Sequence, residues 1–521
     1  MAFAETVRPA EPAPTSEPRW FPSRRQLFLA LAAYFGWHLV CRLMISSSVD
    51  LDEAEQFVLT QRWLWGYGSQ PPLYTWIQSA FFHTLGTNIF ALSLFKNLLL
   101  FSIAALTYAN ARRITRSHAV GTVATLLLVF IPHFVWESQR DLTHSVLASA
   151  LVLATLYTFV KLAEQPRPLR YCLLGVCVGL GTLSKYNYVF FPLGLVAAAL
   201  TVKDLRRVVL HRWMLLTLIS VFVMVLPHGC WVYQHPTQML QRVNKFQIQE
   251  HIGWLRAVAT GFKDLGWSAI LFIAPMILVV TLVFWKAREN PGPPAAATPL
   301  VSLTRRILPG VLAAVMLLIL VFRVTDIKER WLEPLLIVLP VVVATWLQPR
   351  VNQKRLTRLG GLAVLVAGFV AVAIPGRFFL AERLHREETL TRPYATLAHE
   401  LDKSLAPETT IVAARPLLAG NLRLHLPARS VTTPELAELF PYDPRHVALI
   451  WEANRNPALP SRLGEFAVRQ GLEELTNQTP AYVSAPYYFH IHKQARLGSV
   501  QRELKPESTN ATAIATNPGS R

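Results

Sequence analysis

Long apolar segments recur along most of the first 376 residues, and they restrict the possible folds of this chain more than any other feature. A helix that crosses the hydrocarbon core of a bilayer needs about 20 mostly apolar residues, with a range of about 17–25. Eleven segments approach or exceed that length. The predicted spans are residues 27–45, 88–111, 119–134, 141–162, 171–184, 188–202, 213–232, 267–285, 307–323, 332–348 and 359–376. We therefore expect an α-helical integral membrane protein with about 11 transmembrane helices.

Composition and charge support a membrane protein rather than a nucleic-acid-binding one. Only 16% of the residues are charged, against about 25% in an average soluble protein. The net charge is +19, yet from residue 377 onward 17 lysines and arginines face 15 acidic residues. The basic excess therefore lies in short loops between the apolar segments, which is the positive-inside pattern of membrane proteins. This pattern favours contact with membrane lipids, excludes nucleic acid as a partner, and places the N-terminus in the cytoplasm.

Three regions follow from the spacing of these segments. Residues 1–26 are predicted to be a disordered cytoplasmic tail, and residues 27–376 to be the transmembrane module, with outer loops at 46–87 and 233–266. An odd number of spans places residues 377–521 on the opposite face. Strand-like and helix-like segments alternate there, at 410–414, 416–425, 447–451 and 461–470. Such alternation indicates a small soluble α/β domain.

The first outer loop carries four acidic residues within six positions: Asp50, Asp52, Glu53 and Glu55. Like charges raise one another's pKa, so a carboxylate held in such a group is suited to act as a general base or to bind a divalent cation. A plainer interpretation is an interfacial helix whose acidic residues lie near its positive N-terminal end. The loop alone leaves both interpretations open.

Other outer loops add polar and aromatic side chains. Two glycines and two prolines predict a tight turn around Tyr67 and Gln70. Asp141 and His144 are three residues apart at the start of the fourth span, so they are predicted to share a helix face. A cap on that helix is the alternative role of Asp141.

Basic residues also occur on the side that the positive-inside pattern disfavours. Lys185, next to Tyr186, lies between two apolar spans, and Arg330 follows Arg323 and Lys328. Snorkelling is the alternative explanation for Lys185. Cations at this boundary are suited to bind a phosphate. No nucleotide-binding motif is present, neither GxGxxG nor Walker A. An enzyme on the far side of the membrane would have no nucleotide sugar available, so an activated sugar would have to arrive on a lipid phosphate.

Four motifs together resemble the bacterial GT-C glycosyltransferases of family 39, which are dolichyl-phosphate-mannose-protein mannosyltransferase-like. They are Asp52-Glu53-Ala, the turn Gly-Tyr-x-x-x-Pro-Pro-Leu-Tyr, Arg-Asp-x-x-His, and Gly-x-Gly-x-Leu-Ser-Lys-Tyr-Asn, which ends at Asn187. The resemblance covers about residues 27–345, in a branch close to the lipid A aminoarabinose transferase and the rhizobial galacturonosyltransferases. It implies a GT-C fold in the bacterial inner membrane. It also implies inverting transfer of a sugar from a polyprenyl phosphate to lipid A, lipopolysaccharide core or another lipid or glycolipid acceptor on the periplasmic face.

The resemblance also implies roles for individual residues. Asp52 would be the principal catalytic carboxylate, Glu53 would support it, and Asp141 would be the second acidic residue. Lys185 and Arg330 would face the donor phosphate. The remaining substrate contacts would be Asp50, Tyr67, Gln70, His144 and Tyr186. Gln70 stands where relatives that modify lipid A often have lysine. Some relatives bind a divalent cation near these loops, but this sequence contains no decisive cluster, so no metal ligand is assigned.

A lipid-linked sugar flippase or transporter is the alternative function, and a non-catalytic envelope scaffold is a third. Transporters usually carry ionisable residues at mid-bilayer and have repeated halves. Here only Lys96 and Arg42 fall well within predicted spans, and no internal symmetry is evident. A scaffold would leave the acidic loop unexplained.

Overall fold

The computed structural model describes residues 22–68, 70–141, 143–238, 253–285, 298–381, 383, 388–454, 456–488 and 490–502. The chain divides into two compact units, Met1–Leu390 and Thr391–Arg521. The predicted tail lies mostly outside the described residues, as does the middle of the predicted outer loop 233–266.

Helices are the regular secondary structure of the described part of the first unit, and loops connect them. Its helices are α1 (Arg24–Ile45), α2 (Leu51–Leu59), α3 (Leu73–Leu85), α4 (Ile89–Thr115), α5 (His118–Leu127), α6 (Ser138–Arg140), α7 (His144–Glu164), α8 (Pro168–Ser184), α9 (Phe190–Leu200), α10 (Lys203–Val209), α11 (Met214–Gln234), α12 (Trp254–Phe284), α13 (Pro299–Phe322), α14 (Glu329–Leu336), α15 (Leu339–Leu347) and α16 (Gln353–Ala381). Short 3₁₀ turns cover Leu128–Phe130, Tyr186–Val189 and Gln348–Arg350, and a π-helical turn covers His133–Glu137.

Hydropathy and length identify the chain as a multi-pass membrane protein, but they do not confirm eleven spans. Among the described residues, seven helices are long and apolar enough to cross a membrane, or up to nine if each of two bent pairs counts as one span. The predicted spans at 171–184 and 188–202 fall on helices of 17 residues or fewer, α8 and the helical segment that ends in α9. These two segments account for the difference from eleven.

One bent pair directs the chain towards the acidic loop. Helical segments His118–Phe130 and His133–Arg140 meet at an angle of 74°. The break falls at Pro132, which lacks a backbone N–H and cannot continue the hydrogen-bond ladder of the preceding helix. The π-helical turn that follows widens the backbone further. As a result, Arg140 and Asp141 end a short helix instead of continuing a straight span.

Two predicted boundaries differ from the structure. Helix α12 begins at Trp254 and therefore includes the last part of the predicted loop 233–266. Lys263 is exposed on the surface of this helix. Helix α16 continues through Arg377 to Ala381, so the first unit ends at Leu390 and not at residue 376.

The second unit contains the predicted α/β alternation. Its helices are α17 (Tyr394–Asp402), α18 (Pro416–His425) and α19 (Ser461–Arg469), with 3₁₀ turns at Thr389–Thr391, on the boundary, and Glu473–Asn477. Its strands are β1 (Thr410–Ala413), β2 (Val431–Thr432), β3 (Val447–Glu452), β4 (Ala481–Tyr487) and β5 (His490–Gln501). They form one mixed sheet in the order β2-β1-β3-β5-β4, with β1 parallel to β2 and β3. Buried apolar side chains such as Trp451 and Phe466 form a separate core on this sheet.

Candidate active site

The acidic loop forms the start of helix α2, and its carboxylates point in different directions. Asp50 occupies the N-cap position, but its side chain accepts no capping hydrogen bond within the described structure. Asp52 and Glu53 lie in the first turn, where the helix dipole favours negative charge. The plainer interpretation is thus correct about the helix, but it does not account for the partners of these carboxylates.

Glu53 is buried between two cations from neighbouring helices. Its Oε1 lies 2.7 Å from Nζ of Lys96 on α4, and its Oε2 lies 3.3 Å from Nη2 of Arg42 on α1. Burial raises the pKa of Glu53, but the two cations outweigh it and hold the pKa below its usual value. Lys96 and Arg42, the two intramembrane charges visible in the sequence, are therefore ion-pair partners of the acidic loop. Glu53 is an anchoring group for α2 in this arrangement, since each of its oxygens faces a cation.

Asp52 and Asp141 lie next to each other in the structure. The backbone N–H of Asp52 donates a hydrogen bond of 2.9 Å to Oδ1 of Asp141. Burial, together with the nearby charges of Asp141 and Glu55, raises the pKa of Asp52 to about 7, although Arg330 opposes the shift. Burial likewise raises the pKa of Asp141. A carboxyl group with a pKa near neutrality is suited to accept a proton during catalysis.

The predicted helix face shared by Asp141 and His144 is wrong. Asp141 follows α6 with φ −139° and ψ −39°, and helix α7 begins only at His144, after Thr143 as its N-cap. The helical conformation ends before Asp141, because the second segment of the bent pair ends at Arg140. Asp141 consequently does not cap α7.

His144, like Asp141, contacts helix α2. Nε2 of His144 lies 3.4 Å from Nε2 of Gln56, whose Oε1 accepts a hydrogen bond from Thr75. Nδ1 of His144 lies 3.4 Å from the carbonyl oxygen of Ser184. Gln56 is one helical turn after Asp52, so Asp141 and His144 contact successive turns of α2. The buried His144 ring therefore holds α2, α7 and α8 together.

Lys185 is buried and bonded within the protein. Its Nζ donates to Oγ of Ser145 at 2.6 Å and to the carbonyl oxygen of Arg330 at 3.2 Å. The next residues repeat this pattern, because Nδ2 of Asn187 donates to the carbonyl oxygen of Trp331 at 2.5 Å. The short loop after α8 thus fixes the first turn of α14. The Arg330 side chain is exposed, and its charge acts on Asp52.

His228, which was not predicted as a site residue, links helix α11 to Tyr186 and to Trp65, which precedes the turn around Tyr67. The hydroxyl of Tyr186 lies 2.9 Å from Nε2 of His228, whose Nδ1 lies 2.8 Å from the carbonyl oxygen of Trp65. A carbonyl only accepts, so Nδ1 carries the proton and Nε2 accepts from Tyr186. Tyr67 is similarly engaged, since its hydroxyl donates to the carbonyl of Arg62 and accepts from the N–H of Leu64. Tyr67 and Tyr186 therefore each stabilise the conformation of the loop that contains them.

Two further polar residues lie near the site: Gln70, which was predicted as a substrate contact, and Arg377, which was not. Oε1 of Gln70 is buried without a hydrogen-bond partner among the described residues. Arg377 lies in α16, with Nη2 3.8 Å from Oδ2 of Asp50 and Nε 3.9 Å from Oε2 of Glu388. Burial raises the pKa of Asp50 to about 6, and Arg377 opposes that shift. Arg377 was assigned to the soluble domain because the apolar run ends just before it. The continuation of α16 past Pro375 was not predicted.

Within the described part of the chain, the carboxylates and histidines are not arranged as ligands of a metal ion. No group of three histidines, cysteines, aspartates or glutamates is arranged there to hold one. Glu53 is occupied by two cations, and Asp141 accepts from a backbone N–H. No step is therefore assigned to a metal.

Comparisons with known proteins identify the family of this chain. Residues 69–231 match the family described as dolichyl-phosphate-mannose-protein mannosyltransferase. The chain is 32% identical over 471 residues to the lipopolysaccharide core galacturonosyltransferase RgtB of Rhizobium johnstonii, covering 89% of this chain and 94% of RgtB. This chain belongs to the bacterial GT-C glycosyltransferases that include the lipopolysaccharide core galacturonosyltransferases and are similar to family 39. RgtA of the same organism, also a lipopolysaccharide core galacturonosyltransferase, is 29% identical to this glycosyltransferase. The match covers 88% of this chain and 94% of RgtA.

Solved structures show the GT-C fold of this glycosyltransferase. ArnT from Cupriavidus metallidurans matches with TM-scores of 0.56 in the apo state and 0.58 when bound to undecaprenyl phosphate. Both matches cover 92% of this chain and 97% of ArnT, at 14% sequence identity. Membership in an enzyme family also decides against a transporter or a scaffold as the main function.

Proposed function

We propose that this glycosyltransferase transfers a sugar from a polyprenyl-phosphate donor to lipopolysaccharide core, lipid A or another envelope glycolipid, with inversion at the anomeric carbon. RgtA and RgtB support the acceptor class and make galacturonic acid the first sugar to test. ArnT, crystallised with undecaprenyl phosphate, supports a lipid-phosphate donor.

The observation that carries this proposal is the contact between Asp52 and Asp141. In the reaction, a hydroxyl oxygen of the acceptor forms a bond to the anomeric carbon while the bond from that carbon to the phosphate oxygen breaks. The carboxylate of Asp52 accepts the proton of the hydroxyl, and the polyprenyl phosphate leaves with the electron pair. Asp141, held by the N–H of Asp52, orients the hydroxyl from the other side.

Arg330 is the cation that we assign to the leaving phosphate. It is exposed, and its charge acts on Asp52, so it stands where negative charge grows as the phosphate leaves. Lys185 has a positioning role, because its ammonium group binds the backbone carbonyl of Arg330. Tyr67, Tyr186 and His144 are likewise assigned to positioning.

The protein is proposed to lie in the bacterial inner membrane with this site facing the periplasm. Basic residues in the predicted cytoplasmic loops support this orientation. The two shorter apolar helical segments, Pro168–Ser184 and Tyr186–Leu200, would bring nine spans to eleven. Eleven spans would place the second unit in the periplasm.

The deciding experiment measures consumption of a polyprenyl-phosphate sugar by the detergent-solubilised protein in the presence of lipid A or lipopolysaccharide core. An enzyme forms glycosylated product without a membrane, whereas a flippase needs two compartments and forms none. Mass spectrometry of envelope lipids from a deletion strain would identify the transferred sugar and its acceptor together. An unchanged lipid profile and no product in detergent would overturn the proposal.

A further inference from the structure

Helix α14 carries a buried glutamate, Glu333, that has no part in the chemistry proposed above. None of its surface is exposed. A carboxyl group is costly to bury unless it is hydrogen-bonded or paired with an opposite charge, so the contacts of Glu333 indicate what it does. It lies one helical turn after Arg330, the cation that we assign to the leaving phosphate.

Glu333 is hydrogen-bonded to the turn that ends in Asp141. Its Oε1 lies 3.0 Å from Oγ of Ser138, the first residue of α6, although the two residues are 195 positions apart. Ser138 is also fully buried, and its Oγ lies 2.7 Å from the carbonyl oxygen of His133. We call residues 138–141 the α6 turn. The bond therefore joins this turn, at the end of one bent helix pair, to the start of the second bent pair, whose segments meet at 51°.

The α6 turn depends on such contacts, because no helix continues through Asp141. Helix α6 has three residues, and Asp141 follows it with φ −139° and ψ −39°, outside the helical region. Helix α7 begins only at His144. Among the described residues, the turn is held from α2 by the N–H of Asp52, which donates to Asp141, and from α14 by Glu333. Glu333 therefore fixes the end of the turn that the Asp52 contact does not reach.

Helix α14, in contrast, is anchored at its first turn without help from Glu333. Nζ of Lys185 donates to the carbonyl oxygen of Arg330 at 3.2 Å, and Nδ2 of Asn187 donates to that of Trp331 at 2.5 Å. These two bonds attach α14 to the loop after α8. The helix is thus a fixed support, and its hydrogen bond to the α6 turn transmits that position to the turn. Loss of this bond should release the turn and leave Arg330 in place.

We infer that Glu333 is a positioning residue, which holds the α6 turn through Ser138 and so keeps Asp141 beside Asp52. The inference rests on the proposed function and adds to it a residue that acts through others. Asp141 orients the acceptor hydroxyl only while the turn is held, and a displacement of about 1 Å can lower an enzymatic rate about 100-fold. The contact of Arg330 with the donor phosphate does not depend on this bond. Its loss therefore lowers kcat and leaves donor binding unchanged.

The test compares two variants that lose the bond with one that keeps it, as full-length proteins in detergent with undecaprenyl-phosphate galacturonic acid and lipopolysaccharide core. Glu333→Leu and Ser138→Ala should each lower kcat by at least about tenfold and leave the KM for the donor unchanged. Glu333→Gln should keep the kcat of the parent protein, because an amide can accept from the Ser138 hydroxyl or donate to it. Ser102→Ala removes a hydroxyl that donates to a carbonyl within α4 and should behave like the parent protein.

The pH profile distinguishes a displaced Asp141 from a general loss of stability. Four charged side chains act on Asp52: Asp141, Glu55, Arg330 and Lys96. The two carboxylates raise the pKa of Asp52 and the two cations lower it. When Asp141 moves away, the pKa of Asp52 falls, so the rise of kcat/KM with pH should move to lower pH in both variants that lose the bond. Lower stability alone would leave the midpoint of the profile unchanged.

Binding of undecaprenyl phosphate, measured by native mass spectrometry, checks folding, and every variant should bind it as tightly as the parent protein does. If Glu333→Leu does not fold, Ser138→Ala decides, since it removes one buried hydroxyl. Parent-like kcat in Ser138→Ala, or a lower kcat with an unshifted pH profile, would overturn the inference. An equal loss in Glu333→Gln and Glu333→Leu would also overturn it, by assigning the role to the charge of Glu333, on which Lys185 acts. No transfer by the parent protein would instead overturn the proposed function.

Discussion

The backbone N–H of Asp52 donates a hydrogen bond of 2.9 Å to Oδ1 of Asp141, although the two residues are 89 positions apart in the chain. This bond uses the backbone of Asp52 and leaves its carboxylate available to a substrate. It also keeps two acidic side chains close to each other, which disfavours the ionisation of both. The contact therefore assigns different tasks to the two residues: Asp141 is held in place, and Asp52 is the candidate base.

Replacement of Asp52 by asparagine should remove the base with little change in shape. We expect kcat to fall by at least about 100-fold, since general-base catalysis contributes about 10²–10⁴-fold. Thermal unfolding should not move to lower temperature, because the change removes a partly buried carboxylate from beside Asp141. Product formation by the purified variant measures the first effect, and scanning fluorimetry the second. Asp204→Asn, an exposed acid in α10, is the matched control, and equal activity in both variants would exclude Asp52 as the base.

The pH dependence of transfer should report the raised pKa of Asp52. Burial and the charges of Asp141 and Glu55 raise this pKa to about 7. A general base acts when deprotonated, so kcat/KM should be low at acidic pH, rise through about pH 7 and then level off. Glu55→Gln removes one of the charges that raise the pKa, so its profile should shift to lower pH. Profiles of kcat/KM for both proteins between pH 5 and 9 check this, and an unshifted profile would contradict it.

Glu53 should matter for stability as well as for activity. Removing one partner of a buried ion pair typically costs about 3–5 kcal/mol, because a charge is left without compensation. Glu53→Gln leaves both Lys96 and Arg42 in that state, so we expect its free energy of unfolding to fall by about 3 kcal/mol or more. The double variant Glu53→Gln with Lys96→Met should recover part of this loss, since one uncompensated cation is gone. Unfolding midpoints in one detergent compare them, and a double variant less stable than the single one would contradict the argument.

The sequence predicted the type of fold and the acidic part of the site because both depend on local patterns. Apolar length identifies helices that cross a membrane, and the cluster around Asp52 is contiguous. The α/β alternation of the second unit was also predictable, since Val447–Glu452 begins with a continuous apolar run and Pro416–His425 begins with a proline, which is common in the first turn of a helix. The strand pair β4 and β5 was not predicted, and in β4 buried and exposed residues do not alternate regularly.

The partners of these acids could not be predicted, since they depend on packing between distant helices. Arg377 meets Asp50 only because α16 continues beyond Pro375. Lys185 resembled a substrate contact because it stands alone on the outer side. The structure gives it buried partners in α7 and α14, and no local pattern distinguishes these two situations.

The turn before α3 should depend on the missing side chain of Gly66. A Cβ atom at this position would lie 2.1 Å from Cε3 of Trp231, and the Trp231 ring is stacked between His228 and His235. Gly66→Ala should therefore displace the turn and break the link from the Trp65 carbonyl through His228. We expect transfer to fall at least about tenfold and stability by about 1–3 kcal/mol, the usual effect of overpacking.

A matched glycine in the same helix as Trp231 separates this contact from general effects of an added methyl group. Gly229 lies in α11, and a Cβ there would meet nothing within 4 Å. Gly229→Ala should therefore keep parent-like transfer and an unchanged unfolding midpoint, both measured beside Gly66→Ala in one detergent. Equal behaviour of the two variants would mean that Trp231 yields to the methyl group. The turn would then not rely on close packing to hold His228 against Tyr186.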